Sequence, residues 1–188
     1  MTRPLRLVIL GRQGSGKGTQ CVRLVAHYGT VHVSTGDMLR AAITEGTTLG
    51  KQADAVMKAG NLVSDDIING IVEVRLRKDD IRTNGVLLDG FPRTPVQADA
   101  LERMVGPGGL DAAINLEVPV SVVKERMLLR GRADDTPEAI ERRLALYAQE
   151  TAPLIAWFAS RGLLVEVDGL GTEEDVFARL VAAVDARR

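Results

Sequence analysis

A glycine-rich stretch with one lysine is the part of the sequence that points most directly to chemistry. It covers residues 11–20 and reads GRQGSGKGTQ. Glycines let several backbone N–H groups converge on one anion without Cβ clashes, and Lys17 adds a full positive charge for the β- and γ-phosphates of a nucleotide. An ordinary glycine-rich turn is the alternative interpretation. The spacing G-x-x-x-x-G-K favours a phosphate-binding loop, provided that a strand precedes it and a helix follows it.

The residues on either side of this stretch have the patterns that such a loop requires. Residues 5–10 are apolar except for Arg6, which predicts a buried strand. Residues 17–28 are amphipathic and predict a helix, with Val22, Val25 and Ala26 on one side. The N-terminus of that helix carries partial positive charge and would face the same anion as the loop.

A carboxylate at the end of another apolar run is the second candidate for chemistry. Asp89 closes the run 86–89 and is followed by Gly90. A carboxylate at the end of a strand can hold Mg²⁺ directly or through water, whereas the simpler interpretation is an aspartate in a turn. The phosphate-binding loop elsewhere in the chain favours the metal role, because nucleotides bind together with Mg²⁺.

Apolar runs alternate with helical patterns along the whole chain. After the first strand, the runs at 31–33, 86–89, 112–118 and 163–168 predict four more strands. Continuous apolar strands separated by helices predict an α/β fold. The sheet is expected to be parallel and five-stranded, with helices on both faces and a site at the carboxyl ends of the strands.

Three segments depart from simple alternation. Residues 36–45 and 49–59 predict two helices with no strand between them, which favours a separate flap over the site. A long helical pattern begins at Thr136 and contains Pro153, so a kink is expected at that proline. The clearest loop is Gly106-Pro107-Gly108-Gly109.

The overall charge indicates that any anion-binding site is local. The net charge is −1 over 188 residues, and 45% of the residues are hydrophobic. That composition suits one globular domain and provides no basic field for nucleic acid or for an anionic membrane. We therefore expect neither nucleic acid nor membrane as a partner.

The few cysteines and histidines argue against a transition-metal site. Cys21 is the only cysteine, which excludes an internal disulfide and a cysteine-based zinc site, and we expect it to be a small core side chain. His27 and His32 lack a metal-ligand spacing and are expected to be structural. No run is long enough to span a membrane, and the apolar run after Arg6 is too short for a signal peptide, so a cytoplasmic location is expected.

Four further blocks of sequence accompany the GKGTQ ending of the loop. They read STGDMLR at 34–40, DGFPRT at 89–94, RGRADDT at 130–136 and ETAPL at 150–154. Together with the loop they resemble the nucleoside monophosphate kinases, and the adenylate kinases in particular. The blocks follow the family order from the first strand to the last, so the resemblance covers nearly the whole chain.

The resemblance implies a fold, a reaction and a set of partners. The fold would be the P-loop nucleoside kinase fold with a core at 1–34, 64–129 and 136–188, a helical flap for the nucleoside monophosphate at 35–63, and a short lid at 130–135. The reaction would be Mg·ATP + AMP ⇌ 2 ADP, with ATP, AMP and ADP as partners and a monomeric protein.

The resemblance also implies roles for individual residues. The catalytic residues would be Lys17, Arg93, Arg132 and Arg143. The residues that bind ATP would be Gly14, Ser15, Gly16, Lys17, Gly18, Thr19, Arg126, Arg130 and Gly169. The residues that bind AMP would be Thr35, Gly36, Arg40, Leu62, Val63, Gly90, Arg93, Gln97, Arg132 and Arg143. Asp37 and Asp89 would order Mg²⁺ and its waters.

The chain departs from the family pattern at three places. Gln13 stands where the family usually has proline, and Leu129 stands where glycine is common before the arginine pair. Only Ala133 separates Arg132 from Asp134, whereas many adenylate kinases carry a long insert there. This spacing resembles the short-lid type and, with a single cysteine, excludes a zinc-binding lid.

Each assigned residue also has an ordinary structural interpretation. Gln97 follows Thr94 by three residues and could complete a capping box, as Asp37 could after Ser34. Arg126 and Arg130 lie four residues apart and could form a solvated helix face. Arg143 could pair with Glu138 or Glu141. The functional interpretation gains from the whole set, because a phosphoryl group in transfer needs several converging cations.

Two other functions remain open from the sequence. A UMP/CMP kinase shares the scaffold, but those enzymes usually have alanine where Thr35 stands and asparagine near Thr94 and Gln97. A nucleotide-binding switch that performs no transfer is supported only by Gln13 and Leu129. The complete set of arginines argues against the switch, since a binding protein need not keep arginines aimed at a transition state.

Overall fold

A five-stranded parallel sheet forms the centre of the computed structural model, which describes residues 3–106, 109–132 and 134–188. The strands lie in the order β2-β3-β1-β4-β5, so the strand before the glycine-rich loop is central. Their bounds are β1 Arg6–Leu10, β2 Val31–Ser34, β3 Val86–Asp89, β4 Ala112–Glu117 and β5 Leu164–Asp168. The five-stranded parallel sheet expected from the sequence is confirmed.

Helices connect the strands and cover both faces of the sheet. The first five are α1 Lys17–Tyr28, α2 Thr35–Thr44, α3 Thr48–Lys58, α4 Asp65–Leu76 and α5 Asp79–Asn84. The others are α6 Pro95–Val105, α7 Val120–Arg130, α8 Pro137–Leu146, α9 Pro153–Ser160 and α10 Glu173–Asp185. None of these helices has the length and apolarity needed to cross a lipid bilayer.

Strand β1 is apolar from Leu7 to Leu10 because its two faces bury against different helices. On β1, Leu7 and Ile9 point to the core shared with α1 and α10, while Val8 and Leu10 point to the core beneath α4, α6 and α9. All four side chains are at most 3% exposed. Burial on both faces is the reason that this part of the strand reads as a continuous apolar run.

The side of α1 that faces the sheet differs from the expectation. Val22 is 62% exposed and Ala26 is also exposed, whereas Cys21 and Leu24 are buried and Val25 packs partly against the core. The prediction for Val22 and Ala26 was therefore wrong. The small thiol of Cys21 lies on the buried, apolar face of α1, as expected for a core side chain.

The long helix expected after Thr136 is divided by a π-helical turn. Helix α8 ends at Leu146, the π turn covers Tyr147–Thr151, and α9 begins at Pro153. Pro153 thus occupies the first turn of a new helix, where its missing N–H does no harm. A kink at Pro153 within one long helix was expected, but the structure divides the segment before the proline. The π turn brings Tyr147 and Thr151 to the site described below.

The sequence predicted the loop at 106–109 but not the short helix α5. The short helix α5 has no clear apolar period and was missed, since Ile81 is its one buried residue. In the expected loop at 106–109, Gly106 ends α6 with a positive φ of 76°, and Pro107 and Gly108 lie outside the described residues.

The two flap helices approach each other most closely at Gly50, so this residue provides a test of their packing. A Cβ atom at Gly50 would lie 2.0 Å from the carbonyl oxygen of Ala42 on α2. We expect Gly50→Ala to lower the free energy of unfolding by about 1–3 kcal/mol, because the helices must separate to admit the methyl group.

Gly70 in α4 is the matched control, because a Cβ there would meet nothing within 4 Å. Gly70→Ala should raise the free energy of unfolding by about 0.5–1 kcal/mol through the better helix propensity of alanine. Urea denaturation followed by circular dichroism measures both variants. Equal stability of the two variants would contradict the close approach of α2 and α3.

Candidate active site

A cavity of about 430 Å³ lies at the carboxyl ends of β1 and β3. The glycine-rich loop forms its floor, and the start of α2, the end of β3 and arginines from α7 and α8 form its walls. A smaller cavity of about 40 Å³ lies beside the flap. This is the edge of the sheet at which the sequence predicted a site.

The loop takes the backbone conformation that only glycine adopts easily. Gly14 and Gly16 have φ values of 82° and 94°, and a Cβ at Gly14 would lie 2.5 Å from the carbonyl oxygen of Val123. Gly16 is the N-cap of α1, which has neither a side-chain cap nor an acidic residue in its first turn. The first N–H groups of α1 are therefore available to an anion in the cavity.

Lys17 extends along the loop toward the cavity. Its Nζ donates hydrogen bonds to the carbonyl oxygens of Gly11 at 2.6 Å and Arg12 at 2.9 Å. Burial lowers the pKa of Lys17 to about 8, although the negative charge of Asp89 acts in the opposite direction. A phosphate group in the cavity would favour the charged ammonium and raise this pKa.

Asp89 is placed by the register of three parallel strands. It pairs with Ile9 of β1 and with Ser34 of β2, so it reaches the edge of the sheet just beside the loop. Burial raises the pKa of Asp89, but the nearby imidazole of His32 and the charge of Lys17 outweigh burial and hold the pKa below its ordinary value. Asp89 is therefore an ionised carboxylate at neutral pH.

His32 was expected to be structural, and the structure brings it to Asp89. The His32 Nε2 atom lies 3.5 Å from the Oδ2 atom of Asp89, and one ligand atom each of Cys21, His32 and Asp89 lie within 4.8 Å of one another. Burial raises the pKa of the Cys21 thiol well above its ordinary value, so the thiol is neutral and a poor metal ligand. Within this cluster, Asp89 is therefore the group best suited to bind a cation.

The other predicted metal-binding carboxylate, Asp37, lies in the first turn of α2. Ser34 caps this helix by accepting a hydrogen bond from the Asp37 N–H, and the Asp37 carboxylate pairs with Arg40. Burial raises the pKa of Asp37, but the hydrogen bond and charge of Arg40 hold it below its ordinary value. Asp37 and Asp89 line the same cavity.

Arginine side chains form most of the charged surface of the large cavity. Arg93 is held by donating from Nε to the Gly90 carbonyl oxygen at 2.8 Å. Burial lowers the pKa of Arg93, and the nearby charges of Arg143 and Arg40 lower it further. Such crowding of cations is stabilised by an anion bound among them. The arginines that line the cavity are Arg40, Arg93, Arg126, Arg130, Arg132 and Arg143.

Two aspartates of the lid organise the arginines on that side. Asp135 has a fully buried side chain and accepts both a bidentate pair from Arg130 at 2.8 Å and a bond from Arg143 at 2.9 Å. Arg143 also pairs with Asp134 and donates to the carbonyl oxygen of Met57 at 3.2 Å. Arg143 thus joins the lid to the flap rather than pairing with the glutamates of its own helix.

Arg132 is the least constrained of these arginines. It is exposed and lines the large cavity. Among the residues that the structure describes, nothing accepts a hydrogen bond from its guanidinium. Burial and the charges of Arg130 and Arg40 lower its pKa.

The smaller cavity has one apolar wall and two polar side chains with defined partners. Leu62 and Val63 provide the apolar surface. The Thr35 hydroxyl donates to the Gly90 carbonyl oxygen at 2.8 Å, and Gln97 contributes a buried amide. The Gln97 N–H donates to Thr94 as expected for a cap, but its side chain accepts from the N–H of Arg93.

Most of the predicted site residues meet at these two cavities, and two do not reach their walls. Ser15 is buried inside the loop, where its carbonyl accepts from Arg126 at 3.4 Å. Gly169 follows β5 and packs against Val118, away from both linings.

Sequence reasoning missed several residues that the structure places at or beside the site, among them Asn61, Tyr147, His32 and Asp65. Asn61 and Tyr147 line the large cavity, and His32 and Asp65 contact predicted site residues. A cation–π contact of 5.2 Å joins Tyr147 to Arg12 of the loop. Asn61 had served only as a helix-end signal, and no local pattern distinguished the other three.

Comparison with known proteins gives one consistent result. A family model described as adenylate kinase matches residues 9–163. A protein from Stenotrophomonas maltophilia (strain K279a), named adenylate kinase, is 50% identical over 188 residues, which covers 97% of this chain and all of that protein. Relatives with the same name from Xanthomonas axonopodis pv. citri (strain 306) and Synechococcus sp. (strain WH7803) are each 45% identical, covering 96% and 95% of this chain and 99% and 98% of theirs.

The pKa of Lys17 predicts how phosphate binding depends on pH. Lys17 is protonated, and able to bind phosphate strongly, only below about pH 8 in the free protein. Asp89 stays ionised and Cys21 stays neutral in that range. We expect kcat/KM for ATP to fall as the pH rises through about 8, whereas kcat holds to higher pH because bound phosphate raises the pKa.

The variant Lys17→Arg identifies the titrating group. A guanidinium stays charged throughout this range, so the residual activity of Lys17→Arg should show no fall in kcat/KM near pH 8. Steady-state rates across the pH series measure both proteins. The same fall in Lys17→Arg would assign the titration to another group.

Proposed function

This chain belongs to the adenylate kinase family, whose reaction is the phosphoryl transfer ATP + AMP = 2 ADP, and we propose which of its residues carry out that reaction. The proposal assigns the large cavity to ATP and the small cavity to AMP. Positioning and charge stabilisation provide most of the catalysis in phosphoryl transfer, so the placement of cations is the central question.

The main support for the proposal is that the two cavities meet at a junction. Several residues line both, including Gln13 of the loop, Gly90 after β3, and Arg93 and Arg143. A phosphoryl group that moves from one nucleotide to the other would pass this junction, where cations approach from the core and from α8. The donor and acceptor phosphates would therefore meet among positive charges.

On the ATP side, the N–H groups of the loop and the start of α1 would surround the β- and γ-phosphates. Lys17 would leave the carbonyl oxygens of Gly11 and Arg12, its present partners, and bind phosphate oxygens instead. Arg126 and Arg130 would hold the outer part of ATP, since both line the same cavity.

The carboxylates Asp37 and Asp89 fit a magnesium ion. Both line the large cavity and both are held ionised, which matches the oxygen ligands that Mg²⁺ prefers. They would hold the ion mainly through its waters. A bound Mg²⁺ would neutralise part of the negative charge on the phosphates.

On the AMP side, the base would lie in the small cavity against Leu62 and Val63. Thr35 has given its hydroxyl hydrogen to Gly90, so its oxygen remains free to accept a hydrogen bond from an exocyclic amino group. Gln97 would read the same edge of the base. Arg40 and Arg93 would bind the phosphate, which lies toward the junction.

The flap at 35–63 and the lid at 130–135 would close over both nucleotides. The flap already contacts α8, which follows the lid, since Arg143 donates to Met57 and a Cβ at Gly60 would lie 2.6 Å from the carbonyl oxygen of Ala139. Closure would exclude water, which otherwise competes with AMP for the phosphoryl group. A monomer holds every residue that this proposal uses.

Acceptor selectivity tests this assignment of the two cavities. ADP formation from ATP is measured with AMP, CMP, UMP and GMP as acceptors. We expect AMP to be strongly preferred, because Thr35 and Gln97 would be left with unpaired buried groups against the wrong base. Equal turnover of CMP and AMP would contradict the assignment of the small cavity.

Removal of Arg132, which lines the large cavity, and of Arg143, which lines both cavities, tests the catalytic assignment. We expect Arg132→Ala and Arg143→Ala each to lower kcat about a thousandfold or more, with much smaller effects on KM, because their charge matters most in the transition state. Lysine at either position should restore only part of the rate, since it lacks the planar fork.

Surface substitution provides the control for this pair of variants. Arg82 forms an exposed pair with Asp79 on α5, so Arg82→Ala should leave kcat unchanged. Thermal unfolding checks that Arg143→Ala keeps its fold after losing its partners Asp134 and Asp135. If Arg132→Ala and Arg143→Ala both keep kcat within a few-fold of the parent, the catalytic role proposed for the two arginines is wrong.

A further inference from the structure

The side-chain amide of Gln97 is bound at both ends. Its Oε1 atom accepts a hydrogen bond from the backbone N–H of Arg93 at 2.7 Å, and its Nε2 atom donates to the Oδ1 atom of Asp65 at 2.7 Å. The Gln97 residue is 2% exposed, so water does not replace these partners. The amide therefore has one orientation.

The two partners determine that orientation for independent reasons. A backbone N–H only donates, so the atom of Gln97 that faces Arg93 must be the oxygen. An ionised carboxylate only accepts, so the atom that faces Asp65 must be the nitrogen. Turning the amide over would oppose two donors at one end and two acceptors at the other, and Gln97 is buried, so water could not easily satisfy its side chain instead.

Asp65 is itself held in place by the helix that carries Gln97. It is the first residue of α4, and it also accepts from the Thr94 hydroxyl at 3.2 Å. That hydroxyl in turn accepts from the Gln97 N–H at 3.2 Å and caps α6. Asp65, Thr94 and Gln97 thus form a closed set of hydrogen bonds between the starts of two helices.

A fixed amide can distinguish bases that a free amide cannot. Each end of Gln97 keeps one further capacity, a second N–H on Nε2 and a second lone pair on Oε1. The edge of adenine presents a ring nitrogen that accepts beside an amino group that donates. A 6-oxopurine such as guanine or hypoxanthine presents a ring N–H that donates beside a carbonyl that accepts. A glutamine that turns over matches either edge, whereas a fixed one matches only one of them.

We propose that Asp65 is a positioning residue that fixes the amide of Gln97 and thereby makes the small cavity select adenine over 6-oxopurine monophosphates. This inference rests on the proposed function, in which the small cavity receives the base of AMP. Asp65 acts through Gln97 and is not among the residues that line either cavity.

A purely structural role for Asp65 makes a different prediction. Asp65 and Asp66 both lie in the first turn of α4, where negative charge stabilises a helix N-terminus. Loss of that charge would weaken the fold and would lower activity toward every acceptor by the same factor. Only a change in the ratio between acceptors separates orientation of the amide from stability of the helix.

The experiment measures kcat/KM with AMP, GMP and IMP for the full-length chain and for Asp65→Asn. Asparagine has the same shape and offers either a donor or an acceptor to Gln97, so it no longer dictates the orientation at that end. We expect the AMP-to-GMP and AMP-to-IMP ratios to fall about tenfold, the factor that one hydrogen bond commonly contributes. The shorter variant Asp65→Ser, which removes the carboxylate acceptor, should change the ratios in the same direction.

Asp66→Asn is the matched control, because the neighbouring Asp66 is exposed and lies in the same turn of α4. It removes the same charge from the helix N-terminus and should leave the ratios at the parent value. Unchanged ratios in both Asp65 variants would overturn the proposal, as would an equal change in Asp66→Asn. If the parent chain itself fails to use AMP, the proposed function fails instead, and that result is seen without any variant.

Discussion

Repulsion among the cations of one cavity is the constraint on which the rest of the site depends. Lys17 and six arginines line a space of about 430 Å³, and burial together with the charges of Arg143 and Arg40 lowers the pKa of Arg93. The protein stabilises this arrangement with fixed acceptors. Loop carbonyls accept from Lys17, the Gly90 carbonyl accepts from Arg93, and Asp135 accepts from Arg130 and Arg143. Bound phosphates add negative charge that relieves the repulsion.

The parallel sheet is what allows groups from distant parts of the chain to meet these cations. Because all strands run in one direction, their carboxyl ends share an edge, and register aligns Ile9, Asp89 and Ser34 there. The loop follows Ile9 after one residue, Asp89 supplies the carboxylate, and Ser34 caps the first flap helix. A slip of one position would turn each of these side chains to the opposite face.

The two cavities differ in how readily a ligand could replace the contacts of the side chains that line them. The large cavity is lined by charged groups with exchangeable partners, since Lys17 and Arg143 hold contacts that a phosphate could replace. The small cavity shares Arg93 and Arg143 with the large one, but its Thr35 hydroxyl and its Gln97 amide already have assigned hydrogen bonds, with Gly90 and Asp65. Replaceable contacts suit a phosphoryl group that moves, and assigned contacts suit a base that must be recognised.

The sequence by itself determined the features that depend on neighbours within a few residues. The loop at 11–20, the buried strand that ends in Asp89, and the capping box between Thr172 and Asp175 all follow from short spacings and local hydrogen bonds. The alternation of apolar runs with helices was enough to predict a five-stranded parallel sheet. Such patterns can be recognised in the sequence because strand burial and helix capping depend on residues close together in the chain.

Only the tertiary structure decided which distant residues meet. It brought His32 against Asp89, paired Arg143 with Asp134 and Asp135 rather than with a nearby glutamate, and joined Asp65 to Gln97 across 32 positions. It also turned Val22 outward. The physical reason is that an ion pair or a buried hydrogen bond depends on the spacing of packed elements, which no local pattern encodes. The energy of each such contact is also small, so several alternative partners look equally good in the sequence.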